Sequence, residues 1–378
     1  MSQLKISVES LFNGKSFLPN QTIEIRDGII VAIENVTIED RKNSKSDVLS
    51  GSLIPGFIDI QVNGGGGKLF NQSPCLETLK IIASAHQKFG TTGWLPALVT
   101  DSFPVMKSAA DAVALARQDN CLGVLGIHFE GPYISVAKKG IHSAEFIRKI
   151  SDEEKKLFSR KDLGQVVVTL APEVVSPDDI RELVDIGVIV CLGHSNATFE
   201  QANEALKAGA SGFTHLFNAM SQLTSREPGL VGAALLDESS YAGMILDGQH
   251  VHNQSAKLAI NTKSNIILVT DAMPLVGSDC NHFDFFGEQI NRKGNQLTNQ
   301  TGQLAGSVLD MNTAVNNAIE WLAIPAEKAV NLATKNPARF LKLDSLYGTL
   351  KVGSMANMVL LDDNRQVLSS WIEGNQLY

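Results

Sequence analysis

Cysteine is sparse in this sequence. The 378 residues hold four, Cys75, Cys121, Cys191 and Cys280, with no CxxC pair among them. That spacing excludes a dense disulfide framework and suits a reducing cytosol, so a cytoplasmic location is expected. Positive charge is also short: 32 Lys and Arg stand against 40 Asp and Glu, a formal net charge of -8. A nucleic-acid partner, which needs a basic face, is therefore not expected. An anionic small molecule is not excluded, because a cationic pocket can sit on an acidic protein. No apolar run approaches the roughly 20 residues that a membrane helix needs, so no membrane partner is expected. The opening MSQLKISVESLFNGK carries no charged segment followed by an apolar one, and no signal peptide is expected. The four glycines at 64–67 lack the GxxxxGK[ST] spacing, which rules out a P-loop.

What is present is an alternation. Hydrophobic residues make up 44% of the chain, enough to build a large core without covalent staples. The first 50 residues read as short strands (4–8, 22–25 and 29–33) beside the turn signals Asn13-Gly14 and Asp27-Gly28, with a polar loop at 40–47. From Leu53 apolar runs alternate with amphipathic stretches. Strands are expected at 57–61, 94–100, 122–130, 166–171, 188–194, 212–215, 242–247 and 265–271. Between them lie helical patterns such as LETLKIIASAHQKFG, SPDDIRELVDIG and TFEQANEALKAGA, several ending in Gly. Eight buried strands alternating with helices predict an α/β fold, a (β/α)8 TIM barrel. An open doubly wound sheet has the same alternation and is the alternative. The segment 278–301 is polar and reads as a loop or small hairpin, 308–321 and 326–333 read as helices, and strands return from Gly348. Both ends are thus β-rich, which predicts a small β-sandwich domain built from them. The expected domains are 1–52 and 346–378 for the β domain, and 53–345 for the barrel.

The active site of such a barrel lies at the C-terminal ends of its strands. Five of the expected strands close on polar residues: Glu130 in GIHFEGPY, His194 in VCLGHSNAT, His215 in GFTHLFNAM, His250 in ILDGQHVH and Asp271 in ILVTDAM. A single His after a strand is more often a hydrogen-bonding residue than a ligand. Five such endings converging on one mouth are a different matter. Two imidazoles and a carboxylate, here Glu130, His194 and His215, make a catalytic metal set with a position left for water. Asp271 is the candidate base that takes the water's proton and passes it to a leaving amine; its bland alternative is a helix cap. His142 in KKGIH, Arg226 in SREPG and Asn218-Ala219 in FNAM suggest an anionic, sugar-like ligand. Lys138 and Lys139 read as paired surface charges. His86, His252 and His282 read as ordinary structural or surface histidines.

HFEGPY, KKGIH, GHSNAT, THLFNAM, REPGLVGA, DGQHVH and VTDAM, together with LIPGFIDIQVNG and KVGSMANMVLLD, resemble the motifs of the N-acetylglucosamine-6-phosphate deacetylase family of the amidohydrolase superfamily. The resemblance runs over nearly the whole chain in the same order. It implies hydrolysis of the N-acetyl group of N-acetylglucosamine 6-phosphate to glucosamine 6-phosphate and acetate, within amino-sugar catabolism. It implies one divalent metal ion on Glu130, His194 and His215, zinc by default, with Fe2+, Co2+ and Mn2+ also suited to such a site. It gives Asp271 as acid/base, His142 on the acetyl carbonyl, Asn218, Ala219, Arg226 and His250 as phosphate and sugar contacts, and Ile141, Leu304, Ala305 and Gly306 as further substrate contacts. It also implies a homodimer or homotetramer in which a neighbouring subunit often completes the phosphate site. One departure stands out. Many amidohydrolases carry His-x-His at the end of strand 1 for a second metal, where this chain has Gln61 and Asn63. Neutral amides are poor zinc ligands, so a single metal is expected. Met273-Pro274 stands where small residues are common. The alternatives are another amide hydrolase of the superfamily, or a non-catalytic binding protein on the same fold.

Overall fold

The structure is a computed structural model that describes residues 3–36, 48–118 and 123–378. The polar run expected at 40–47, Cys121 and the start of the strand expected at 122–130 lie outside the described residues. The chain opens with β1 (Gln3–Phe12), β2 (Phe17–Arg26), β3 (Ile29–Asn35) and β4 (Val48–Pro55). At Gly56 it passes directly into β5 (Phe57–Val62). Only glycine fits this crossing, because a Cβ at Gly56 would stand 1.9 Å from the Thr92 hydroxyl. A two-residue ribbon follows, β6 (Gly64–Gly65) with β7 (Lys68–Leu69). The remaining parallel strands are β8 (Thr91–Val99), β9 (Gly126–Glu130), β10 (Gln165–Leu170), β11 (Ile189–Leu192), β12 (Gly212–Phe213), β13 (Tyr241–Met244) and β14 (Ile266–Leu268). Every residue of β8 is buried, as expected for a strand covered on both faces.

These strands form an eight-stranded sheet in the order β5-β8-β9-β10-β11-β12-β13-β14. The backbone beyond β14 closes it against β5: Val62 bridges Ala272, Asp271 N donates to Gln61 O at 3.0 Å, and Asn63 N donates to Ala272 O at 2.9 Å. The barrel, not the open sheet, is therefore the fold. The intervening helices carry their expected signals. Ser151 and Thr198 form capping boxes before Asp152–Phe158 and Phe199–Lys207, and Ser176 caps Pro177–Asp185 with proline in the first turn. Gly187 follows the helix Pro177–Asp185 and Gly209 the helix Phe199–Lys207, at φ of 99° and 109°, a left-handed turn that ends a helix.

The polar segment after β14 forms a three-stranded antiparallel sheet: β15 (His282–Phe285), β16 (Glu288–Lys293) and β17 (Gln296–Thr298). Leu297, Ile290 and Phe285 pack with Met273, Leu275, Val99 and Ala305 in a small core beside the barrel mouth. Helices Met311–Leu322 and Ala326–Ala333 follow, then β18 (Met358–Leu361), β19 (Val367–Ile372) and β20 (Asn375–Gln376). These pair with the first strands in the order β20-β19-β18-β4-β1-β2-β3, so both chain ends share one sheet. That sheet has its own core around Leu11, Ile23, Ile25, Ile30, Leu53 and Met358. No helix among the described residues is long and apolar enough to cross a membrane.

Candidate metal and substrate site

The C-terminal ends of the barrel strands open into a cavity of about 350 Å³. Glu130 is the last residue of β9, His194 lies two residues beyond β11, and His215 two beyond β12. His194, His215 and Asp271 leave their strands at φ of 47°, 32° and 51°. Non-glycine residues pay a steric cost of order 1 kcal/mol for that conformation. Three of the four residues expected to carry the chemistry adopt it.

Glu130 Oε1 lies 3.1 Å from His194 Nε2 and 3.0 Å from His215 Nε2, and the two Nε2 atoms are 2.9 Å apart. All three side chains are buried. The proton count of this triangle is informative. His194 donates from Nδ1 to the Lys138 carbonyl at 2.9 Å, so a neutral ring presents a lone pair at Nε2. That lone pair faces both a carboxylate oxygen and a second imidazole nitrogen. One cation between the three atoms satisfies every contact at once. Tetrahedral coordination at about 2.1 Å sets ligand atoms about 3.4 Å apart, close to the separations seen. The donor set therefore fits a divalent metal. Burial would push the Glu130 carboxyl up, but the two imidazoles beside it, His194 and His215, outweigh it and hold it well below the usual carboxylate range.

Asp271 stands beside this cluster. Burial first, and then the Glu130 charge, push its carboxyl up to about 6. Two amides from the end of β5 reach it: Asn63 Nδ2 donates to Oδ1 at 2.6 Å and Gln61 Nε2 to the same oxygen at 3.3 Å. Gln61 Nε2 also donates to Glu130 Oε1 at 3.0 Å. The residues that replace the His-x-His pair thus hold the two carboxylates.

His142, Ile141, Asn218, Ala219, His250, Leu304 and Gly306 all line the cavity with the metal set and Asp271. His142 is buried, with its ring 4.3 Å from that of His194 and its Nδ1 2.8 Å from the Thr100 hydroxyl. Burial and the neighbouring His194 hold its imidazole neutral, well below the usual histidine range. His250 Nδ1 donates to Asp247 Oδ2 at 2.7 Å, which fixes the ring. Burial raises the Asp247 carboxyl, but the His250 contact outweighs it and leaves it below its ordinary value. Two expected residues do not line the cavity. Arg226 is exposed, and Ala305 is buried beneath its neighbours, with its N–H donating to Leu297 O at 3.1 Å. Lys138 and Lys139 are not paired with acids among the described residues. Lys138 lines the cavity, and Lys139 donates to the His142 carbonyl at 3.2 Å, tying down the loop that presents His142. His86 is buried under the glycine run, with Nε2 2.9 Å from Gly64 O, His252 caps the helix Asn253–Thr262, and His282 is exposed on β15.

Sequence reading passed over Thr100, Asp247 and His128. Thr100 directly follows the second barrel strand, and Asp247 is three residues from His250 in DGQHVH, so position and spacing could have flagged both. His128 bonds inside the barrel, to Ile60 O at 2.9 Å and to the Thr169 hydroxyl at 2.7 Å. No sequence signal could have given the Lys138 carbonyl, because it is backbone.

The amidohydrolase family model matches residues 52–377. The chain belongs to the amidohydrolase family. Among curated relatives, it is 49% identical to an N-acetylgalactosamine-6-phosphate deacetylase of Shewanella sp. (strain ANA-3) over 94% of this chain and 91% of that one. It is 35% identical to the N-acetylglucosamine-6-phosphate deacetylase of Haemophilus influenzae over 87% of each. Among solved structures, the N-acetylglucosamine-6-phosphate deacetylase of Pasteurella multocida superposes with a TM-score of 0.93 at 34% identity, covering 99% of both chains. A point mutant of the Mycobacterium smegmatis enzyme, in complex with N-acetyl-D-glucosamine 6-phosphate, superposes at 0.91 with 28% identity and full coverage.

Proposed function

We propose that this amidohydrolase removes the acetyl group of N-acetylglucosamine 6-phosphate, giving glucosamine 6-phosphate and acetate. The observation that carries the reading is the convergence of Glu130, His194 and His215 within one buried cluster beside Asp271. The end-to-end likeness to deacetylases of this sugar phosphate supports it.

Glu130, His194 and His215 would hold a divalent ion, zinc by default for two imidazoles and a carboxylate, with iron, cobalt and manganese also compatible. Such an ion supplies an acidified water and polarisation of a bound carbonyl. Asp271 accepts a proton from the attacking water, whose oxygen bonds to the acetamide carbon. The proton then passes from Asp271 to the amine nitrogen, the C–N bond breaks and acetate leaves. His142 donates from Nε2 to the acetyl oxygen. This requires the Thr100 hydroxyl to turn its one hydrogen to His142 Nδ1, at 2.8 Å, in place of the Glu130 carbonyl it reaches at 3.2 Å. His250, its Nδ1 held by Asp247, presents Nε2 to the sugar and phosphate, with Asn218 and Ala219 beside it. Ile141, Leu304 and Gly306 enclose the acyl and sugar groups, with Ala305 supporting that segment. Arg226 is the phosphate's outer contact, and its exposure in a single chain suits a site completed by a second subunit in a homodimer or homotetramer. The free cysteines among the described residues, Cys75, Cys191 and Cys280, suit a cytoplasmic enzyme. We also propose 53–345 as the catalytic domain, with 1–52 and 346–378 forming the small β domain.

The 49% identity to a galactosamine deacetylase favours a second reading, in which the C4 epimer is the preferred substrate. Acetate release measured on both epimers and on unphosphorylated N-acetylglucosamine, alongside metal content and oligomeric state, decides. Turnover of a phosphorylated epimer with one metal per chain is expected. Equal turnover without phosphate, or no acetate from any of the three, would refute the reading.

A further inference from the structure

The two oxygens of Asp271 are not equivalent. Oδ1 accepts from Asn63 Nδ2 at 2.6 Å and from Gln61 Nε2 at 3.3 Å, whereas Oδ2 receives no hydrogen bond from any described residue. One donor, Gln61, sits on β5, the other, Asn63, directly follows it, and the acceptor lies three residues beyond β14; the backbone bonds that close the barrel lock those two segments together. Both amides are almost wholly buried, so their direction is set by the fold. Chemistry fixes which end of each amide faces the carboxylate, because an ionised carboxylate only accepts.

We propose that Gln61 and Asn63 are positioning residues that divide the labour of Asp271: Oδ1 is tethered, and Oδ2 is turned to the reacting water as the proton acceptor. The inference rests on the reading of Asp271 as the general base. Charge explains why amides occupy these positions. One divalent cation balances the carboxylates of Glu130 and Asp271, and amides orient both without adding charge or lone pairs basic enough to recruit a second ion. Gln61 spans the pair, touching Glu130 Oε1 and Asp271 Oδ1 with one nitrogen. The base is thereby held at a set position relative to a metal ligand. Asn63 also lines the catalytic cavity, and its Oδ1 is buried without a partner.

The test compares Asn63→Ala, Gln61→Ala and Asp271→Asn in the metal-loaded enzyme, measuring kcat, KM, metal content and the pH profile with N-acetylglucosamine 6-phosphate. Asn63→Ala is expected to lower kcat about tenfold or more, to change KM less than about twofold, to keep one metal per chain, and to move the acid limb of kcat to higher pH. Gln61→Ala gives a smaller loss of the same form and stands in if Asn63→Ala does not fold. An unchanged kcat and acid limb in Asn63→Ala, with Asp271→Asn inactive, overturns the positioning role while leaving the base in place. Activity lost with the metal and restored by added metal overturns it too, since the amides would then serve retention. If Asp271→Asn itself keeps turnover with its metal bound, the underlying reading fails instead.

Discussion

Asp271 is poised between two states because its surroundings pull in opposite directions. Burial and the Glu130 charge favour the protonated form, while His215, His250 and the Asn63 donor favour the ion. A general base must be deprotonated to act, so kcat/KM is expected to fall as pH drops through about 6 or somewhat lower, since a bound cation favours the ion further. A pH–rate profile that stays flat down to pH 4 contradicts the assignment. His142 acts differently, as a buried neutral donor whose ring is held by Thr100. His142→Ala is expected to cost about 100- to 1000-fold in kcat, the range for losing one donor to a developing oxyanion. Metal content should be unchanged, because His142 lies outside the ligand triangle. Steady-state kinetics with metal analysis checks both statements.

At the scale of elements, the segment after β17 decides how the site is covered. Gly306 adopts φ of 62°, and a Cβ there would stand 2.4 Å from Met273 Cγ and 2.9 Å from the Asp271 carbonyl. Met273 is therefore fitted to a glycine. Ser307, the next residue, donates its N–H to Asp271 O at 3.0 Å, so the same segment braces the backbone of the base. Gly306→Ala is expected to destabilise the fold by about 1–3 kcal/mol through strain and overpacking. It should also reduce kcat, because Asp271 shifts with its brace. A denaturant melt beside an activity assay separates the two effects, and wild-type values in both would show that the segment adapts freely.

Two expectations belong to the whole molecule. His86 is buried beneath the glycine run with only the Gly64 carbonyl for a partner, and burial lowers its pKa to about 4. Unfolding frees it to take a proton at about 6.5, so the unfolded state binds more protons between those values. Its contribution is complete above about pH 6.5 and is lost as pH falls toward 4, up to about 3 kcal/mol in all. Melting curves across that window should slope downward toward acid, and His86→Gln, which keeps a donor, should flatten the slope. The second expectation concerns the metal. An ion that binds only the folded barrel stabilises it by mass action, by about 2.7 kcal/mol at one hundred times its Kd. Chelation should therefore lower Tm and abolish acetate release together. A Tm indifferent to chelator would mean that the ligand cluster holds no ion.

The sequence by itself determined the repeating architecture and the residue types of the site. Alternating apolar runs and capped amphipathic helices are local patterns, and they marked eight strands whose ends bore Glu130, His194, His215, His250 and Asp271. Motif chemistry then indicated a metal, a base and an anionic sugar. What only the tertiary structure decided depends on distance between segments remote in sequence. The choice of barrel over open sheet rests on contacts between Val62 and Ala272, 210 positions apart. The pairing of both termini in one sheet, and the three-stranded sheet of 282–298 beside the mouth, needed the closed core to place them. The same holds for Gln61 and Asn63. As letters they recorded a missing second metal pair. Only closure of the barrel, which brings β5 against the end of β14, turned them into the donors that hold Asp271 by one oxygen.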